Sequence, residues 1–131
     1  MIVTDSRNIP MTKHILTIDD EPDIREMLQQ GLTMEGYRVS AVGSADEARR
    51  IVREDPPQLI ISDLQMEDVD GLVLIEELKQ VLPEVPVLLL TGVSFDPEVV
   101  RENIHKKVSA YLEKTTSLDR IFGEIRRLIG D

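Results

Sequence analysis

The sequence contains no cysteine and no tryptophan, and only two tyrosines and two phenylalanines among its 131 residues. Without cysteine there is neither a disulfide framework nor a thiolate ligand for a metal. No apolar run approaches the roughly 20 residues that a membrane-spanning helix needs. The N-terminus also lacks the basic start and apolar stretch of a secretory signal. These absences favour a cytoplasmic protein that has no contact with a membrane.

Positive charge is scarce as well. Acidic residues outnumber basic ones 25 to 15, which gives a formal net charge of −10. Because contact with nucleic-acid phosphates requires a basic stripe, we expect no direct binding of nucleic acid. The length suits one domain with one hydrophobic core, and a hydrophobic content of 41% argues against disorder. We expect a short loose tail over residues 1–12 and one domain over residues 13–131.

Apolar runs alternate with amphipathic stretches along that domain. The runs predict strands at residues 15–18, 37–42, 59–62, 87–91 and 110–112. The stretches between and after them predict helices at 23–35, from 44 to before 56, from 71 to before 83, at 96–105 and from 117 onwards. Continuous apolar strands that are each followed by a helix are typical of a parallel sheet covered on both faces. The sequence therefore predicts an α/β domain with five strands and five helices.

Several helix ends carry the residues that usually form them. Ser44 with Glu47 three residues later matches a capping box, and Ser117 is placed as an N-cap. Gly36 is expected to end the first helix. Asp70, directly before Gly71, is interpreted as a helix cap rather than a metal ligand.

Charged and hydroxyl side chains gather where the predicted strands end. These residues are Asp19 and Asp20 after the first strand, Asp63 after the third, Thr91 at the end of the fourth and Lys114 after the fifth. Ligands of an open parallel sheet bind beyond the carboxyl ends of its strands. Two unit charges about 4 Å apart repel by roughly 4 kcal/mol at an effective dielectric near 20, so close carboxylates need an opposing charge or water. Hard oxygen ligands favour Mg²⁺, and the set is suited to a phosphoryl group beside that ion.

From about Lys13 to Ile129 the sequence resembles the receiver domain of two-component response regulators. The resemblance rests on the acidic pair in ILTIDDEPD, the aspartate in LIISDLQMEDVDG, the hydroxyl in VLLLTG and the lysine in AYLEK, which occur in this order. It implies a doubly wound, flavodoxin-like fold with strand order 2-1-3-4-5. It also implies a signalling domain that catalyses its own phosphorylation and self-dephosphorylation, rather than an enzyme with a separate substrate.

The resemblance implies a role for each residue of the site. Asp63 resembles the phosphorylated nucleophile, which takes its phosphoryl group from a phosphohistidine with the help of Mg²⁺. Asp20 resembles the direct ligand of Mg²⁺ and Asp19 the ligand that acts through water. The backbone carbonyl of Gln65 completes the implied ligand set.

The resemblance also implies a switch and its partners. Lys114 resembles the lysine that pairs with the phosphoryl group, and Thr91 the hydroxyl that moves to bond it. Tyr111 matches the aromatic residue that then turns, which changes a partner-binding surface near residues 96–105 and the following strand. The implied partners are a sensor histidine kinase or phosphotransfer protein, and downstream an output domain or a second copy of the chain.

Two positions depart from the family pattern. Thr115 follows Lys114 where the family usually has proline, often after a cis bond, and Glu67 stands where proline is common. The first departure leaves open a receiver-like scaffold that binds partners without phosphorylation, and a displaced Lys114. A second open alternative is that Asp19 or Glu21 serves only to cap the first helix and to favour its positive end.

Two rival functions fit the sequence poorly. A phosphatase with an aspartyl nucleophile needs a second aspartate two residues after Asp63, and Gln65 stands there. A carrier of flavin mononucleotide needs a phosphate loop rich in serine, threonine and glycine after the first strand. Asp19, Asp20 and Glu21 occupy that place and repel phosphate.

Overall fold

A parallel sheet of five strands forms the centre of the fold. The computed structural model describes residues 12–64, 70–92 and 108–130. The strands are β1 (His14–Ile18), β2 (Arg38–Val42), β3 (Leu59–Ser62), β4 (Val87–Thr91) and β5 (Ala110–Glu113). Their order across the sheet is β2-β1-β3-β4-β5, and all neighbouring strands are parallel. The predicted flavodoxin-like order is confirmed.

Within the described residues, helices follow four of these strands. They are α1 (Pro22–Met34), α2 (Ala45–Glu54), α3 (Gly71–Val81) and α4 (Leu118–Ile129), which makes four helices within the described residues. The helix predicted at 96–105 and most of the predicted tail, residues 1–11, lie outside them. Among the described helices, none has the length and apolar character that crossing a membrane requires.

The predicted helix ends are confirmed by hydrogen bonds. Ser44 and Ser117 each accept a bond at 3.3 Å from the backbone N–H three residues later, and Asp70 accepts one at 2.8 Å from Leu72. Gly36 follows α1 with a φ of 98°, a conformation that favours glycine. Asp70 is therefore a helix cap, as the sequence predicted.

Alternate residues of the central strands point to opposite faces of the sheet, and both faces are buried. Leu16 and Ile18 pack with the apolar stripes of α2 and α3, while Ile15 and Ile61 pack with those of α1 and α4. Burial on both faces explains why the central strands are continuous apolar runs. It also fixes the carboxyl ends of β1, β3 and β4 side by side at one edge.

Candidate functional site

Three carboxylates converge where β1 and β3 end. Asp19 and Asp63 directly follow these neighbouring strands, and the backbone N–H of Asp63 donates to the carbonyl of Ile18 at 3.0 Å. Asp19 and Asp63 are buried and Asp20 is partly buried. Each of the three offers a carboxylate oxygen, and these oxygens lie within 4.8 Å of one another. The structure therefore brings together the acidic side chains that the sequence predicted at this edge.

The ammonium of Lys114 lies among these carboxylates. Its Nζ atom is 2.9 Å from Asp63 Oδ2, 2.9 Å from Asp19 Oδ2 and 2.6 Å from Glu21 Oε1. The backbone N–H of Lys114 donates to the carbonyl of Thr91 at 2.8 Å, which ties the loop after β5 to the end of β4. The Lys114–Thr115 bond is trans. With threonine after it, Lys114 reaches Asp63 directly, and its charge offsets the repulsion between the carboxylates.

Burial and ion pairing shift the pKa values of Asp19 and Lys114. Burial raises the pKa of Asp19, while the N–H of Glu21 and the ammonium of Lys114 act in the opposite direction. Burial alone would lower the pKa of Lys114, but its bonds to Glu21, Asp19 and Asp63 outweigh burial and raise it. Lys114 therefore stays charged at neutral pH, as a cation fixed within an acidic pocket.

Thr91 and Tyr111 lie on the adjacent pair of strands. Thr91 is the last residue of β4 and is buried. Tyr111 lies opposite Leu89 in β5, and Leu89 is two residues before Thr91. Because residues two apart in a strand share a face, Thr91 and Tyr111 lie on the same face of the sheet. Tyr111 is partly buried against the core on the α2 and α3 side.

Some predicted positions lie outside the described residues. They are Gln65, the source of the implied backbone ligand, and Glu67, the departure from the family pattern.

The structure adds two residues to which sequence reasoning gave no place in the site. Glu21 is the N-cap residue of α1 by position, but its side chain makes no capping hydrogen bond and contacts Lys114 instead. Arg25 donates from Nη1 to the backbone carbonyl of Asp19 at 2.8 Å. The sequence contains one signal for Arg25, since it stands one helical turn after Glu21 and so returns to the end of β1.

Comparison with known proteins agrees with this geometry. Residues 15–126 match the family described as the response regulator receiver domain. The transcriptional regulatory protein GlrR of Escherichia coli (strain K12) is 34% identical over 112 residues, which are 86% of this chain and 25% of GlrR.

Two solved structures share the fold. NtrX from Brucella abortus, in complex with ADP, has a TM-score of 0.82 and 30% identity, with 91% of this chain and 27% of NtrX covered. TrrA from Thermotoga maritima, in complex with Mg²⁺-BeF, has a TM-score of 0.80 and 27% identity, with 89% of this chain and 99% of TrrA covered. The chain thus spans about a quarter of the length of GlrR and of NtrX. With the family match over most of its length and the acidic edge in place, the chain belongs to the receiver domains of two-component response regulators, a family of phospho-acceptor signalling domains.

Proposed function

We propose that Asp63 accepts a phosphoryl group from the phosphohistidine of a sensor histidine kinase or phosphotransfer protein. One observation carries this proposal. The Asp63 carboxylate is 2.9 Å from the Lys114 ammonium, in a pocket where Asp19 and Asp20 offer oxygens within 4.8 Å. A buried nucleophile that already has a cation beside it is prepared for an incoming group with several negative oxygens.

The chemistry that we propose is a direct displacement at phosphorus. A carboxylate oxygen of Asp63 attacks, the N–P bond of the phosphohistidine breaks, and the imidazole leaves with the bonding electron pair. The product is an acyl phosphate on Asp63. Lys114 then donates to a phosphoryl oxygen, which replaces part of its contact with the carboxylate. The Asp63 side chain is only 4% exposed, which limits access of bulk water to the reacting oxygen.

The donor set of the pocket fits Mg²⁺. Asp19, Asp20 and Asp63 supply hard carboxylate oxygens, and the described part of the pocket offers no sulfur or imidazole ligand. We propose Asp20 as a direct ligand, Asp19 as a ligand through water, and the backbone carbonyl of Gln65 as a further ligand. When bound, Mg²⁺ supplies positive charge against the transferring phosphoryl oxygens. The similarity to TrrA, which was solved with Mg²⁺-BeF, supports this assignment.

Thr91 and Tyr111 are proposed to relay phosphorylation to the surface. The Thr91 hydroxyl moves to bond the new phosphoryl group, and Tyr111, on the same face of the sheet, turns into the space that it leaves. Such a two-position element biases a binding surface between two states. The surface serves an output domain or a second copy of the chain, which agrees with the similarity to GlrR, a transcriptional regulatory protein. We place the domain, over residues 13–131, in the cytoplasm, without direct contact to nucleic acid or membrane.

Intact-mass measurement after incubation with acetyl phosphate tests the proposal. The chain should gain a phosphoryl adduct when Mg²⁺ is present, and no adduct when the metal is chelated. Asp63→Asn should abolish the adduct. Asp70→Asn is the matched control, because it makes the same chemical change at a helix cap, and it should keep the adduct.

Two results would contradict the assignment. An adduct that persists in Asp63→Asn would place the phosphoryl group on another residue. No adduct in the unaltered chain, with Mg²⁺ binding measured separately, would favour the scaffold that binds partners without phosphorylation.

A further inference from the structure

Glu21 contacts the site without belonging to its group of converging carboxylates. The Lys114 ammonium has three N–H donors, and within the described residues its carboxylate partners are Asp19, Asp63 and Glu21. Asp19 and Asp63 are members of the cluster that can hold a metal, and Glu21 is not. The Glu21 side chain is also 59% exposed, whereas those of Asp19 and Asp63 are 4% exposed.

Metal binding would change the contacts of Lys114 in this arrangement. A cation held by Asp63 and, through water, by Asp19 would occupy lone pairs that now accept from the ammonium, and two cations at short range repel each other. Lys114 must therefore give up part of its contact with both carboxylates. Of these three carboxylates, Glu21 is the one that lies outside the proposed set of metal ligands.

We propose that Glu21 is a positioning residue, which keeps Lys114 beside the site when the metal binds Asp63 and, through water, Asp19. This inference rests on the metal site of the proposed function. With Glu21 present, the ammonium keeps one full ionic partner when the metal arrives, and it stays close to Asp63 for the phosphoryl group. Without Glu21, both remaining partners are proposed metal ligands, so the ammonium and the metal compete directly for them.

The test is the Mg²⁺ affinity of the metal-free chain, measured by isothermal titration calorimetry. Glu21→Gln keeps the size of the side chain and removes its charge, and it should raise the Kd for Mg²⁺ about three- to fivefold. Asp23→Asn removes the same charge from an exposed residue two positions later in α1. This control should change the Kd less than about twofold, since exposed charges without contact are screened.

Repeating the measurement in Lys114→Met distinguishes an effect of the contact between Glu21 and Lys114 from an effect of the lost charge alone. In Lys114→Met there is no ammonium to hold, so adding Glu21→Gln should change the Kd no more than adding Asp23→Asn does. Circular dichroism should be unchanged by Glu21→Gln, since its side chain is mostly exposed.

The outcomes distinguish this inference from the proposed function. A Kd that Glu21→Gln leaves unchanged would overturn the positioning role alone. So would a loss of equal size with and without Lys114, because Glu21 would then act only through its charge. Absence of Mg²⁺ binding in the unaltered chain would overturn the metal site, and this inference with it.

Discussion

Gly43 lies so close to Arg25 that a Cβ atom on Gly43 would come within 2.6 Å of the Nη1 atom of Arg25. The same guanidinium atom donates to the carbonyl of Asp19 at 2.8 Å. The N–H of Asp19 donates to the carbonyl of Val42 at 3.1 Å. Two hydrogen bonds thus fix the backbone of Asp19, one at its N–H and one at its carbonyl. Because residue 43 is glycine, there is room beside it for the guanidinium of Arg25.

Gly43→Ala should therefore disturb the proposed metal site through Arg25. A hydrogen bond that involves a charged group contributes about 1.5–3 kcal/mol, and the flexible arginine will recover part of it. We expect a loss of about 1 kcal/mol in the free energy of unfolding in urea, together with weaker Mg²⁺ binding by calorimetry. Arg25→Ala should give a similar loss, and the double variant should lose no more than the larger single loss. Losses that add fully would show that Gly43 and Arg25 act independently.

Gly71 is required for a different reason, close approach of backbone to backbone. A Cβ atom there would lie 2.4 Å from the carbonyl oxygen of Leu64 and 2.5 Å from that of Asp63. No side-chain rotation relieves these contacts, so Gly71→Ala must push the start of α3 away from the backbone of Asp63 and Leu64. We expect the free energy of unfolding to fall by about 2–3 kcal/mol, as in overpacked cores, with a slower gain of phosphoryl adduct.

Gly123→Ala is the matched control for this substitution. Among the described residues outside its own helical turn, no atom lies within 4 Å of a Cβ at Gly123 in α4, so alanine should raise stability by up to about 1 kcal/mol through helix propensity. Equal effects of the two substitutions in urea denaturation would contradict the role of close approach at Gly71.

Much of the fold is predictable because strands that are buried on both faces of the sheet appear in the sequence as continuous apolar runs. The run LIIS at residues 59–62 is buried at every position, and it forms β3 with the predicted bounds. Ser44 and Ser117 cap their helices through hydrogen bonds to the N–H three residues later. Because both partners lie within one short stretch of sequence, a local pattern is enough to predict these caps. The strand ends then place Asp19, Asp63 and Lys114 together, since parallel strands share one carboxyl edge.

Sequence reasoning missed contacts between residues that lie far apart in the sequence, and contacts of residues whose local pattern fits two different roles. Glu21 and Lys114 are separated by 93 residues, and an acidic residue before a helix fits a cap equally well. The contact between Arg25 and Gly43 depends on how closely α1 approaches the end of β2, which no local pattern specifies. His14 likewise received no function from sequence, and its partners lie on the edge strand β2 and after α2.

Lys114 should stabilise the metal-free domain, in addition to its proposed role in phosphoryl transfer. Its side chain is 11% exposed, and its partners Asp19 and Asp63 are 4% exposed, so Lys114→Met removes an ammonium that contacts two buried carboxylates. We expect the free energy of unfolding, measured in urea with a chelator, to fall by at least about 2 kcal/mol. Added Mg²⁺ should restore more stability in this variant than in the unaltered chain, because ligand binding to the native state stabilises it. Equal Mg²⁺ effects in the two proteins would contradict the proposed competition between Lys114 and the metal.

His14 is a buried titratable group at the opposite end of the sheet. It is fully buried at the start of β1, and its Nε2 atom lies 2.7 Å from the Ser40 hydroxyl oxygen. Its Nδ1 atom is 3.7 Å from Asp55 Oδ1 and has no hydrogen-bond partner among the described residues. Burial lowers the pKa of His14, and the charge of Arg38 lowers it further, against the opposing effect of Asp55. Folding therefore favours the neutral imidazole.

This shift predicts the direction in which stability depends on pH. As the pH falls through 6.5, the usual pKa of histidine, the unfolded chain binds a proton at residue 14 before the folded chain does. Above that pH, His14 makes the free energy of unfolding neither rise nor fall with pH. Below it, the free energy of unfolding falls by at most about 1.4 kcal/mol for each pH unit. Urea denaturation between pH 7.5 and 5.5 should show this loss, and His14→Gln should reduce the slope while the carboxylates keep their own contributions. A slope that is the same in both proteins would show that His14 becomes protonated equally well in the folded domain.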